Sequence, residues 1–353
     1  MCQASMESTN FTSEQLPLSP LELSAKVRQD QGLHEADVSC GDEADLRSIF
    51  RTCTKNPEHI GFIPVHQFEA CHLPLLYRDL NFVSYVRAMA GFAVRVLVRC
   101  ISTKRPKEYP GTDNPYPFYH YKGAHFLRVG SGWVDGAGMT FLPENNRRCP
   151  CRKCAASEKP SYTWCQFWVH TALHVVYNRE EAQHTQCELF YDSETSRDLV
   201  SVLDGVDTVG SCLEDTCSIL CVTHDIQVVG KLNLMWAELH QLQESMSKSL
   251  TRSDEMGRLS IIVSHPHGSS KRISVGEWTH RQSHGDDWTQ YYYTTNTCPG
   301  SSGAPVYLSG KERGLQLVTN HPHSARCEDS TKHEWNLVGI SVTVLPSYAH
   351  VSS

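Results

Sequence analysis

The sequence predicts a mainly β protein with a helical preface and one long helix between two strand-rich regions. Three observations predict it. Phe92 to Cys100 sets Val94, Val96 and Val98 against Arg95, Leu97 and Arg99, the period-two pattern of a half-exposed strand. Short apolar runs at 258–263, 271–275, 291–293 and 306–308 are separated by Gly, Pro, Ser and His, as strands joined by turns are. Between these regions Leu232, Met235, Leu239, Leu242 and Met246 recur at helical spacing.

A chain of 353 residues has room for two or three domains. Its hydrophobic content of 40% and charged content of 20% are those of a soluble globular protein. A net charge of −7 offers no basic field for nucleic acid. Residues 1–30 carry no apolar core of signal-peptide length, and no run of about 18 apolar residues occurs, so neither secretion nor a membrane span is expected. The expected compartment is the cytoplasm. There the 15 cysteines would be free thiols or metal ligands rather than a disulfide framework.

Residues 1–30 are expected to be disordered: polar residues and Pro dominate and aromatic residues are scarce. Residues 31–90 are expected to be helical, with Leu46, Ile49 and Phe50 on one face and a second helix over 82–89. The stretch 102–123, rich in Pro, Tyr and Gly, is a loop. Cys149, Cys151 and Cys154 could chelate zinc, with Cys165, Cys187 or His170 as fourth ligand. Free thiols or a local disulfide are the alternative. Strands are expected at 185–192 and 218–230, and a linker helix over 231–256.

Three sites carry chemistry. Gly300-Ser301-Ser302-Gly303-Ala304-Pro305 sits between strand-like runs. Its glycines allow a tight turn that can aim consecutive amide N–H groups into one small space. An apolar strand ends in Thr171-Ala172-Leu173-His174, where an imidazole can accept and return a proton at neutral pH. Asp225 is followed by the apolar Ile226, Val228 and Val229, whereas Asp204, Asp207 and Asp215 lie in polar, glycine-containing surroundings.

The serine loop, the Thr-Ala-Leu-His segment and a preceding Gly130-Ser131-Gly132 resemble the trypsin-like serine peptidases of the chymotrypsin superfamily. The Ser-Ser-Gly-Ala form is closer to the Deg-type and glutamyl endopeptidase branch. The order His174, Asp225, Ser302 is also that family's order. The resemblance implies two antiparallel six-stranded β-barrels, over 91–230 with a Cys-rich insertion at 149–165 and over 257–348. It implies a Ser302 nucleophile, a His174 base, an Asp225 orienting His174, and an oxyanion hole from the amides of Gly300 and Ser302. No cofactor is required; the partner is a polypeptide substrate, and the oligomeric state is left open. Asn296 stands where trypsin's pocket carries an Asp, so Arg or Lys specificity is not implied. Thr297 with His321 or His323 is similar to the Thr/His pair that glutamyl endopeptidases use for Glu or Gln. Cys298 and Cys327 are similar to the pair bridged in secreted members. The rival is a peptidase-fold protein that binds peptides without cutting them.

Overall fold

Ser19 begins the first helix with a reciprocal cap: its hydroxyl accepts the Glu22 N–H, and the Glu22 carboxylate accepts the Ser19 N–H. With Pro20 at the first position, α1 (Pro20–Gln29) is set before any tertiary contact, and it then buries Val27. Residues 20–29 are therefore helical, not disordered as composition suggested. The computed structural model describes residues 18–135, 140–141, 147–250, 257–284, 288–310, 314–318, 322–327 and 338–344. The expected disorder of residues 1–17 lies outside them.

The preface continues as β1 (Asp37–Ser39), α2 (Asp42–Arg51), β2 (Ile63–Pro64) and α3 (Leu80–Ala90). It is stitched into the rest of the molecule, because β1 and β2 each extend one of the two sheets.

The first sheet contains β3 (Ala93–Val98), β4 (Leu127–Val134), β5 (Thr140–Phe141), β6 (Cys165–Ala172), β7 (Thr185–Leu189), β8 (Ser201–Ser211) and β9 (Thr216–Thr223). Two short helices, α4 (Arg152–Ala155) and α5 (Arg179–Ala182), interrupt them. The order β4-β3-β7-β8-β9-β6, with β4 pairing β6, closes a six-stranded antiparallel barrel. Its core includes Val94, Val96, Phe167, Val169, Val175 and Ile219. Strand β3 was expected to be half-exposed, but all six residues are buried. Arg95 points under α2, where it pairs with Glu43 and with Glu188 of β7.

The chain then enters α6 (Ile226–Leu250), which packs on α3. This helix begins within the stretch expected to be strand through residue 230. An apolar run as short as 226–232 reads equally as strand or helix. Asp225 settles it locally by accepting the Gln227 N–H at the helix start.

The second sheet holds β10 (Leu259–Ser264), β11 (Arg272–His284), β12 (Trp288–Tyr293), β13 (Val306–Gly310), β14 (Gly314–Val318), β15 (His323–Cys327) and β16 (Val338–Val344). Their order is β14-β13-β10-β11-β12-β16-β15. Among the described residues it is an open half-barrel, not the closed six-stranded barrel expected. No helix among the described residues is long and apolar enough to cross a membrane.

Candidate active site

The glycine-flanked loop lies where the two sheets meet. Gly300 has φ of +96°, and a Cβ there would sit 2.5 Å from the His265 carbonyl, so this turn needs glycine. Strand β4 passes behind the loop: the Ser131 N–H donates to the Ser302 carbonyl (2.8 Å), and the Ser131 hydroxyl donates to the Gly300 carbonyl (2.7 Å). A Cβ on Gly130 would meet that same Ser302 carbonyl at 2.9 Å. The Gly-Ser-Gly string thus lets strand and loop approach closely.

His174 follows β6, and its Nε2 lies 2.7 Å from the Ser302 Oγ. Its Nδ1 lies 2.7 Å from an oxygen of Asp215, whose other oxygen accepts the His174 backbone N–H (2.9 Å). Asp215 sits with φ of +50° in the turn between β8 and β9, a conformation Asp tolerates better than most residues. The Ser324 hydroxyl also donates to it (2.5 Å). Asp225, expected in this place, instead caps α6. The residues after Asp225 wind into a helix, while the β8–β9 turn bends Asp215 back over the end of β6.

Burial pushes the His174 imidazole down to about 4, and Asp215 only partly opposes this. Burial alone would raise the Asp215 carboxyl, but His174 and the Ser324 hydroxyl outweigh it and hold it below the usual carboxylate range. At neutral pH the arrangement is a carboxylate, a neutral imidazole and a hydroxyl in series.

The His174 backbone is itself anchored. The Arg105 guanidinium donates to the His174 carbonyl (2.9 Å), and Arg128 donates to the Val175 carbonyl (2.7 Å). Both guanidinium groups share the buried carboxylate of Glu181. Nothing in local sequence marks this trio, since its members lie in three separate segments.

The amides of Gly300 and Ser302 point at one oxygen, and a part of the chain itself occupies that position. The Gly300 N–H (2.6 Å) and the Ser302 N–H (3.2 Å) both donate to the carbonyl of Glu35. The Glu35 side chain enters a pocket where His323 Nε2 is 2.9 Å from its carboxylate and the Lys55 ammonium pairs with it. The Tyr293 hydroxyl holds the other nitrogen of His323 at 2.7 Å, and Lys55 also donates to the Thr297 hydroxyl (3.2 Å). Burial would raise the Glu35 carboxyl, but Lys55 and His323 bring it below the ordinary range.

Of the residues expected to line the pocket, Thr297 and His323 are there. Asn296 turns the other way and donates to the Ile60 carbonyl (3.3 Å). His321 lies outside the described residues. Lys55 was not expected; it comes from the preface and adds a positive charge beside Thr297 and His323.

Cys149, Cys151 and Cys154 gather as expected, but their fourth neighbour is His224 rather than Cys165. Its Nε2 lies 2.9, 3.8 and 3.5 Å from the three sulfurs in that order. Cys165 is turned into the barrel core. His170 bonds Ser218, and Cys187 meets Cys221. A second cluster joins Cys53, His59, His267 and Cys298. The Cys298 sulfur is 3.7 Å from that of Cys53, while the side chain of Cys327 lies outside the described residues.

No protein-family model matches the sequence, and no curated protein does. Among solved structures the chain is similar to the active form of the Rv3671c protease from M. tuberculosis. That match has a TM-score of 0.37 and 13% identity, covering 75% of this chain and 82% of that one. The inactive form of the same protease matches with a TM-score of 0.33 and 13% identity, covering 75% and 90%.

Proposed function

We propose that this chain is a serine endopeptidase of the trypsin-like kind that cuts a polypeptide after an acidic side chain. The observation that carries the reading is the continuous series Asp215–His174–Ser302, with both nitrogen-to-oxygen separations at 2.7 Å, beside two amides aimed at one carbonyl oxygen. In it Ser302 attacks the scissile carbonyl, and His174 Nε2 takes the hydroxyl proton and returns it to the leaving amine. Asp215 holds the Nδ1–H tautomer and opposes the imidazolium charge as it forms. The Gly300 and Ser302 amides stabilise the oxyanion. A second turn through the same groups lets water release the acyl-enzyme. Lys55 supplies the positive end of the substrate pocket beside the His323 ring, which favours a carboxylate over an amide side chain.

Ser302 is fully buried beneath residues 33–36, so the test must first uncover it. Glu35→Arg places like charge beside Lys55 and drives the segment out. A fluorophosphonate is expected to label the Glu35→Arg chain at one residue and to leave Glu35→Arg/Ser302→Ala unlabelled. Failure to label the first, with the fold intact by circular dichroism, would mean a peptidase fold that only binds.

A further inference from the structure

We propose that the chain cuts itself between Glu35 and Ala36, within one molecule. The proposal rests on the peptidase reading above and names the first substrate of that site. The segment preceding Ala36 is laid out as a bound substrate would be. Leu33 and His34 run antiparallel to β15: the Arg326 N–H donates to the Leu33 carbonyl (3.0 Å), and His34 bridges Ala325. The His34 ring stacks on His174 with centroids 4.0 Å apart, and its two nitrogens bond the Ser324 carbonyl (2.8 Å) and the Tyr109 hydroxyl (2.6 Å). The Glu35 carboxylate fills the Lys55/His323 pocket, and its carbonyl oxygen receives the two loop amides. The Ser302 Oγ accepts the Glu35 N–H at 2.9 Å, so the nucleophile lies against this same residue.

An inhibitory strap would need only to cover the serine. Here the pocket, the amide pair and the backbone pairing are all satisfied in register around one peptide bond. On the far side of that bond, Gln31 clamps Ala36 by donating to its carbonyl (2.7 Å) and accepting its N–H (2.9 Å). In the first step the Ser302 Oγ–carbon bond forms and the Glu35–Ala36 C–N bond breaks. The serine proton passes through His174 to the Ala36 nitrogen. Water then breaks the ester, leaving a carboxylate on Glu35 and restoring the hydroxyl of Ser302.

The test is the intact mass of the purified full chain. Wild type is expected to yield a fragment ending at Glu35 and another beginning at Ala36. Ser302→Ala should stay whole, and Glu35→Ala should be cut at least about 100-fold more slowly, because the buried pocket groups lose their partner. The first-order rate should be unchanged by tenfold dilution. A wild-type chain that stays whole while the uncovered Glu35→Arg chain hydrolyses an added peptide containing glutamate overturns self-cleavage and leaves the peptidase reading standing. A rate that falls on dilution overturns the intramolecular claim. If Glu35→Arg neither takes the fluorophosphonate nor cuts that peptide, the peptidase reading falls, and self-cleavage with it.

A separate observation carries a second proposal: we infer that the chain holds two structural zinc ions, one at Cys149, Cys151, Cys154 and His224, the other at Cys53, His59, His267 and Cys298. In each group the four ligating atoms lie within 4.8 Å of one another. Tetrahedral zinc with sulfur at about 2.3 Å sets its sulfurs about 3.8 Å apart, close to the 3.7 Å between Cys53 and Cys298. Around that second pair the Nε2 atoms of His59 and His267 are buried without a hydrogen-bond partner. His267 Nδ1 bonds the Asp37 carboxylate at 2.7 Å, the outer support that zinc-bound histidines usually have. The ion would tie the preface to the nucleophile loop through Cys298.

Elemental analysis of the full chain, purified without chelator, should give two zinc ions per molecule. Cys53→Ser and His224→Ala should each lower that to one, and the pair together to none. Recovery of Cys53 and Cys298 as a disulfide from fresh protein would overturn the second site. Retention of both ions by His224→Ala would overturn the first.

Discussion

Asp215→Asn is expected to lower kcat towards an acidic peptide by about 10⁴-fold at neutral pH, with KM changed little. The carboxylate accepts two hydrogen bonds from His174, one from the backbone and one from Nδ1. An asparagine can turn its amide nitrogen toward Nδ1, which shifts the imidazole proton to Nε2. That nitrogen could then no longer take the Ser302 proton. Removing the charge also withdraws what opposes burial at an imidazole already held at about 4. The paired control is Asp225→Asn. Asp225 is exposed at the start of α6, and its replacement should leave kcat within about twofold. The reverse result, with Asp225→Asn crippled and Asp215→Asn active, would refute the assignment. Both variants belong in a background where the Glu35 segment has been released, so that the rate reports chemistry and not access.

The second large effect is on stability. Glu181→Ala should destabilise the fold by about 3–5 kcal/mol, because it leaves two guanidinium groups buried without a counter-charge. Arg105, Arg128 and Glu181 are all fully buried. The carboxylate also accepts the N–H of Ser102 (3.0 Å) and of Tyr177 (3.0 Å). In a chain of this size the loss is a fall in Tm on the order of 10 °C. The pH dependence follows from the same group. Burial would raise the Glu181 carboxyl, but Arg105 and Arg128 outweigh it and bring it from 4.5 down to about 2. A carboxyl depressed in the folded state contributes its full stabilisation above its unfolded value. That contribution is lost as pH falls from about 4.5 towards 2. Denaturant unfolding across this range should show the acid loss in wild type and a flatter profile in Glu181→Ala. A variant as stable as wild type at neutral pH would show that the buried cations find other partners. Because Arg105 and Arg128 hold the carbonyls of His174 and Val175, the variant should also lose activity through misplacement of His174.

The two aspartates show where local pattern stops being informative. Around Asp225 the sequence offers an apolar run, and around Asp215 a polar turn, so burial judged from neighbours favours the former. In the fold Asp225 caps a helix in solvent, and the turn is folded inward against β6. The metal ligands repeat the lesson. Cys151 and Cys154 can be paired from their spacing, because two residues between thiols suit one short helical turn. His224 reaches them only because β9 ends beside the insertion. The closed first barrel was expected from the resemblance to a known family, but the burial of Arg95 was not foreseeable, since α2 comes from the preface.

What this sequence determined by itself is what short-range geometry dictates: the strand that ends at His174, the glycine turn that presents Ser302 with the amides beside it, and the long helix. Each depends on backbone preferences and side-chain chemistry within a few residues. The tertiary structure decided which carboxylate backs His174, that Lys55 makes the pocket positive, that Glu181 is buried between two arginines, and that Glu35 lies under the loop. Those outcomes depend on which distant surfaces close over one another to bury apolar area. Burial then selects partners for every charge it takes from water, a choice that no spacing along the chain encodes.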